Sequence, residues 1–252
     1  MDKASLLIPL VSIFLVIRLY TSGLYRRYRA FFLFLIYANV LRMGVLGIMD
    51  PATGLYQKIW VLTEPIEWLF YVSVVLELYS LTMKDYRGLS TVGRWSLIAA
   101  VCVAMLASGI SLMAPSRPSD QSVLMTYYYV AERAVYFSLA VFLLTMFALL
   151  MRYPIVLSRN LVVHSMVFSS YFLIVTVLYL WLSARGWGSI LGVRYGIFGA
   201  TVAALGTWLV MLNPAGETRK QRLRPAWMPG QEEALVSQLN HLNAVLLRAT
   251  HK

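Results

Sequence analysis

The sequence predicts an all-α, polytopic integral membrane protein: a seven-transmembrane-helix bundle followed by a short C-terminal cytoplasmic amphipathic helix. Three observations carry this expectation. Of the 252 residues, 60% are hydrophobic and only 13% are charged, whereas a soluble domain is about half apolar and about a quarter charged. The apolar residues fall in seven runs of roughly 17–30 residues, enough at about 1.5 Å per residue to cross a hydrocarbon core of ~30 Å. The arginines and lysines gather in every second connection. Backbone polar groups must be satisfied within lipid, and the short alternating segments of a transmembrane barrel are absent, so the spanning elements are helices.

The first run, residues 4–20, is interrupted by Arg18 and precedes no small-x-small cleavage site. It is expected to remain as a span rather than to leave as a signal peptide. Arg26, Arg27 and Arg29 follow it. The second run, 30–49, holds Asn39, expected to hydrogen-bond between helices, and Arg42; the loop around Asp50 to Gly54 after it has almost no positive charge. The third, 56–83, carries Glu64, Pro65, Glu67 and Glu77, and Lys84, Arg87 and Arg94 follow. The fourth, 93–114, contains the single cysteine, Cys102, which reads as a small packing residue, and ends at a neutral turn at 115–120. The fifth, 122–151, carries Glu132 and Arg133 and ends at Arg152, Tyr153, Pro154 and Arg159. The sixth, 160–184, opens with Asn160 and His164 one turn apart, expected to hydrogen-bond at a helix interface. The seventh is 190–212.

Orientation follows from charge. The first, third and fifth loops and the tail with Arg219, Lys220, Arg222 and Arg224 are positive. The positive-inside rule puts them on the cytoplasmic side, with the N-terminus outside, in a plasma (inner) membrane. The same placement absorbs the net charge of +11 without a nucleic-acid partner. Arg18 and Glu77 lie near inner span ends and are expected to snorkel. Tyr25, Tyr28, Tyr56, Trp60, Trp95, Tyr153, Trp181 and Trp187 suit an interfacial aromatic belt. Ala100, Ala104 and Ser108, and Gly196, Ala200 and Ala204 with Gly199 and Ala203 beside them, form small-residue stripes. Such stripes let helices approach within the bundle, with a homodimer seam as the alternative.

The chain therefore divides into a transmembrane domain at 1–212, a cationic proline-containing linker at 213–230 and an amphipathic helix at 231–252. In that helix Leu235, Leu239, Leu242 and Leu246 follow a 4-3-4 spacing, one seam of a coiled coil about two heptads long. Its polar face is mainly Glu, Ser, Gln and Asn, which argues against adsorption to anionic lipid. It favours packing on protein: a second copy, a partner helix, or the inner face of its own bundle. Two heptads are too short to hold a dimer alone.

Charged side chains deep in a span are expensive and are by default functional candidates. Arg42 lies eight residues before Asp50, and Glu64 lies eight residues after Tyr56, each roughly 12 Å inside the outer end. Glu67 is one turn deeper; Glu132 and Arg133 are eleven and twelve residues after Gln121, roughly 16–18 Å in. Glu64, Glu67 and Tyr71 share a helical face, as do Tyr128, Glu132 and Tyr136, while Tyr129 and Arg133 share an adjacent one. Pro65 loosens its helix between the two glutamates. The pattern predicts one aromatic-rich charge network across the second, third and fifth spans. It is open to three uses: ion pairs that fix the bundle, a ligand or ion pocket, or a proton-coupled path or catalytic pair. The surplus carboxylate favours a cationic ligand or a shared proton.

No catalytic residue, metal set or cofactor is indicated. HExxH, GxSxG, a nucleotide-binding loop and metal-spaced Cys/His sets are absent. The seventh span has no lysine for a retinal Schiff base, and one intramembrane histidine cannot supply bis-histidine haem. Three functional readings follow. One is a sensor or receptor-like module with an outward polar cluster and a reporting tail. Another is a structural or accessory subunit of a membrane complex. The third is a small transporter or intramembrane enzyme using Glu64 and Glu67.

Overall fold

Helix formation follows the hydropathy runs. The computed structural model describes residues 7–49, 53–84, 86–111, 123–153, 155–185, 187–221 and 231–250. Helix α1 (Leu7–Thr21) ends at a turn where Gly23 takes φ 73°, a left-handed conformation that costs glycine nothing. A short 3₁₀ turn (Leu24–Arg26) leads into α2 (Arg29–Ala38), which passes directly into a π-helical segment, Asn39–Leu46. At that junction the Asn39 amide donates to the Leu35 carbonyl at 2.7 Å and to Ser12 Oγ of α1 at 2.8 Å. The expected interhelical bond of Asn39 is thus made, at the point where the helical register widens.

Helix α3 (Gly54–Thr82) starts at Thr53, whose side chain accepts from the Tyr56 amide, and contains Pro65. Then come α4 (Arg87–Ser111), α5 (Val123–Arg152), α6 (Arg159–Arg185) and α7 (Ile190–Met211). Helix α6 packs between α5 and α7; α5 also packs on α4 and α3, and α1 closes the bundle against α7 and α2. Phe31, Val74, Leu78, Leu139, Leu143, Phe168 and Phe172 fill the centre. Large apolar side chains such as Leu62, Leu69, Leu191 and Val210 face outward.

The all-α class of the sequence reading holds. The only strands among the described residues are β1 (Leu157–Ser158) and β2 (Lys220–Gln221), an antiparallel ribbon that ties the start of α6 to the segment after α7. Among the described residues, four helical stretches are long and apolar enough to cross a membrane: Lys58–Thr82, Val130–Met151, Arg159–Leu182 and Ile190–Met211. Leu7–Thr21, Arg29–Leu41 and Gly88–Val103 are shorter apolar helices. These lengths and the outward apolar faces are compatible with a membrane location.

Several sequence expectations change in detail. Residues 213–221, read as the start of a linker, are folded: helix α8 (Ala215–Thr218) lies against α6 and β2 pairs with β1. Cys102 is exposed on α4 rather than packed. The small-residue stripe of α7 splits. Gly196 meets Leu178 of α6 and Ala204 is buried, whereas Gly199 and Ala203 are exposed.

The tail forms α9 (Gln231–Thr250) and docks on α4 of its own chain. Leu239 is 2% exposed, and Asn243 Oδ1 accepts from the Gly88 amide at 2.7 Å. The buried face therefore runs through Leu235, Leu239, Asn243 and Leu246, an α-helical spacing, and not through the 4-3-4 seam. Leu242 is the correction: it is 44% exposed, beside exposed Val245. A straight helix docking on a single neighbour follows the 3.6-residue period, and Leu242 falls off that line. The loops read at 50–52 and 115–120, and the side chains of Arg42, Ala104, Ser108, Tyr128 and Tyr129, lie outside the described residues, as do Arg222 and Arg224.

Candidate functional site

Two polar centres sit inside the bundle. The one the sequence singled out is built on α3 and α5. Glu64 and Glu67, one turn apart on α3, are each 6% exposed, and Glu132 on α5 is 5% exposed. Helical spacing turns the α3 pair inward together, while Pro65 between them is exposed. Proline leaves an i−4 carbonyl without its usual donor. Just before it, Thr63 Oγ1 back-bonds to the Ile59 carbonyl at 2.9 Å, and the Tyr37 hydroxyl donates to the Thr63 carbonyl at 2.8 Å. Side chains of α2 and α3 thus add hydrogen bonds beside the proline turn.

Each of two carboxylates is held by a tyrosine. The Tyr71 hydroxyl donates to Glu67 Oε1 at 2.8 Å, one turn along α3. The Tyr179 hydroxyl of α6 donates to Glu132 Oε2 at 2.6 Å. Tyr136, buried one turn from Glu132, joins the two halves: its ring centroid is 5.6 Å from that of Tyr71 and 6.2 Å from Tyr179, with the latter pair stacked at 22°. Phe172 packs on both Tyr71 and Tyr136, and Tyr171 on the same pair. The result is a column Glu67–Tyr71–Tyr136–Tyr179–Glu132 across α3, α5 and α6. Arg133 is half-buried on the neighbouring face of α5.

The structure therefore brings together Glu67, Tyr71, Glu132 and Tyr136 of the expected network and buries Glu64 beside them. Sequence reading missed α6. Tyr179 and Tyr171 carry no charge, so the search for charged residues passed over a span rich in aromatics. The signal was present: Phe168, Phe172, Val175 and Tyr179 fall on one helical face and are all buried. Phenylalanine at 179 keeps the ring and removes only the donor. Tyr179→Phe is expected to cost about 1.5–3 kcal/mol, the range for a hydrogen bond to a charged group. Thermal unfolding in detergent checks this; a loss confined to a few tenths would place the carboxylate's partner elsewhere.

The second centre lies at the opposite ends of the helices, where α1, α3 and α7 finish and α2 and α6 begin. Glu217 of α8 is its hub. The Tyr28 hydroxyl donates to Glu217 Oε1 at 2.6 Å and Asn160 Nδ2 donates to the same oxygen at 2.9 Å. Arg27 Nε lies 2.8 Å from Oε2, a charge contact rather than an aligned hydrogen bond. Asn160 Nδ2 also donates to the Asn213 carbonyl at 2.7 Å, and Asn213 Oδ1 accepts from the Gly216 amide. A Cβ on Gly216 would stand 2.1 Å from Asn160 Oδ1, so only glycine fits there.

Four single-residue expectations are refined here. Asn160 makes the interface bonds foreseen for it. His164 does not: it is wholly buried among Tyr28, Phe31, Phe168 and Trp208, and its ring nitrogens have no hydrogen-bond partner among the described residues. Glu77 does not snorkel but caps α2, accepting from the Ala30 and Phe31 amides at 3.0–3.4 Å. This satisfies orphan donors at a positive helix end. Arg18 Nη1 donates to the Leu209 carbonyl in the last turn of α7.

Tyr28, placed in the interfacial belt from sequence, is 0% exposed. Burial, then the hydrogen bond to the Glu217 carboxylate and its negative charge, push the Tyr28 phenol well above its ordinary value of 10; Ser158 and Arg27 oppose this more weakly. The unfolded chain would therefore release this proton near pH 10 while the native state keeps it. Stability must fall as pH rises above about 10, because the unfolded state binds fewer protons there. Tyr28→Phe is expected to flatten that alkaline loss, measured as the difference between wild-type and variant melting midpoints from about pH 8 to about pH 11.

Comparison with protein-family models, curated proteins and solved structures matches none of them. Among the described residues no group of three or more His, Cys, Asp or Glu could hold a metal ion.

Proposed function

We propose that this chain is a seven-helix integral membrane sensor or receptor-like module. It crosses the bilayer seven times with its N-terminus outside and its C-terminus in the cytoplasm, as the alternation of positive loops requires. The column of Glu67, Tyr71, Tyr136, Tyr179 and Glu132 is the sensing element, and α9 is the reporter. One observation carries this reading: two carboxylates from different helices are buried in a single aromatic column. A structural ion pair needs only one acid. Two acids joined through phenols can change charge together, by taking up a proton or a small cation. The docked tail supplies an element whose position can respond.

The test is the melting midpoint of the detergent-purified protein across pH and in sodium, potassium, magnesium and small organic ammonium salts. A cation- or proton-dependent rise that disappears in a Glu67→Gln/Glu132→Gln variant supports the reading. Equal responses from the two proteins sink it. Glu64 is buried one turn from Glu67 on the same helix, so the same series in Glu64→Gln identifies which acid responds.

An accessory or homodimeric role has its own support. Gly192, Gly199 and Gly206 recur every seven residues on α7, and a Cβ at any of them would meet nothing within 4 Å. Such a flat strip suits a helix from a partner or a second copy. Cross-linking from a cysteine at 203 in membranes tests it: a homodimer band supports a seam, and monomer alone removes it.

A further inference from the structure

We propose that the groove between the α1–α2 turn and the inner ends of α3 and α4 binds a phosphate-bearing anion, with an anionic phospholipid headgroup as its source. The groove, about 430 Å³, is lined by Arg26, Arg27, Arg29 and Arg94 around Glu77, with Ser80 between them. Its charge is only partly offset from within, where the Glu77 carboxylate also faces Arg29. Arg27 is turned to Glu217, and the Glu77 carboxylate is committed to the first amides of α2. The remaining arginines are each held by a neutral partner. Arg26 Nε donates to the Tyr25 hydroxyl at 3.1 Å, Arg29 Nε to the Arg26 carbonyl at 3.2 Å, and Arg94 Nη2 to Ser80 Oγ at 3.1 Å.

These bonds matter because each uses one nitrogen of a guanidinium that carries five N–H donors. Three guanidinium groups from three separate segments are thereby oriented toward one space with most of their donors left to offer. Phosphate, like carboxylate, is an anion whose geometry such a fork accepts in pairs. The shape favours lipid over a soluble phosphate. The groove runs along α3 from Leu81 to Ser73, about two turns into the apolar part of that helix. A headgroup at the arginines would leave its acyl chains against the outward apolar surface. Basic pockets between helices on a cytoplasmic face recognise anionic headgroups in this manner. The inference rests on the membrane placement proposed above and is independent of the sensing role.

The experiment uses the full-length protein, delipidated in a mild detergent and mixed with dioleoyl phosphatidylglycerol or dioleoyl phosphatidylcholine, with retained lipid counted by native mass spectrometry. Preferential retention of phosphatidylglycerol is expected. Each of Arg26→Gln, Arg29→Gln and Arg94→Gln should weaken it about fivefold, and the triple variant roughly a hundredfold. A control carrying Lys84→Gln and Arg219→Gln, exposed cations outside the groove, should retain it as the wild type does. Should the triple variant not fold, the single variants still carry the test. Displacement by millimolar inorganic phosphate would keep the phosphate site and overturn the lipid source. Equal retention of the two lipids, or wild-type retention by every arginine variant, would overturn the proposal.

Discussion

Replacing Glu217 with alanine is expected to lower the unfolding free energy by about 3 kcal/mol. Three donors lose their acceptor at once. Tyr28 is wholly buried, so its hydroxyl keeps only its weaker contact with Ser158, and Asn160, also wholly buried, keeps only the Asn213 backbone. Each stranded donor costs about 1–3 kcal/mol. The Arg27 contact adds less than about 1 kcal/mol, because Arg27 is 45% exposed and water replaces much of what it loses. Glutamine at 217 retains an acceptor oxygen for Tyr28 and Asn160 and should lose only about 1 kcal/mol. Chemical unfolding of the two variants side by side checks the account. Equal losses would mean that charge, and not acceptor geometry, holds this end of the bundle.

The second large effect concerns the tail. Gly88 sits in the first turn of α4, and a Cβ there would stand 2.6 Å from the Asn243 backbone carbonyl and 3.1 Å from Leu246 Cβ. A helix backbone cannot yield as a side-chain tip can, so Gly88→Ala should push α9 off its seat. The loss includes the hydrogen bond to Asn243 and the burial of Leu239, the latter about 1.5–3 kcal/mol for a leucine. Amide hydrogen exchange in 231–250 should accelerate about 30- to 100-fold, corresponding to about 2–3 kcal/mol of lost docking free energy. The bundle itself should not weaken, because alanine is about 1 kcal/mol better than glycine within a helix. Leu239→Asp should give the same undocking, whereas Leu242→Asp, on the open face, should leave exchange unchanged.

These two sites were unequally legible in the sequence. Period and hydropathy located the helices to within a few residues, apart from the start of α4 at Arg87, because long apolar runs satisfy their backbone most simply as continuous helix. Glu64, Glu67, Tyr71, Glu132 and Tyr136 were found because intramembrane charge is costly and because i, i+3 and i+4 spacing states which side chains share a face. Tyr179 was not found, since the aromatic face it shares with Phe168 and Phe172 marks burial and not a partner, and its role arises only across a tertiary contact. The Glu217 centre was hidden for the same reason. Its members come from positions 27, 28, 160, 213 and 217, and nothing in residue spacing reports that the segment after α7 folds back beneath α6. The leucine seam of the tail misled at Leu242, because a 4-3-4 pattern describes two supercoiled helices and α9 meets a single neighbour.

The sensor reading stands or falls on coupling between the carboxylate–tyrosine column and the docked tail. Spin labels at Lys84 and Gln238, both exposed, with the sole cysteine changed by Cys102→Ser, report the distance between bundle and tail. The account predicts that pulsed electron-electron double resonance gives different distance distributions at about pH 5 and about pH 8, the two ends of the range in which native proteins are most stable. It predicts further that Glu67→Gln/Glu132→Gln removes the difference. Superimposable distributions in the unmodified column at both pH values, and with every cation that raises the melting midpoint, would contradict it.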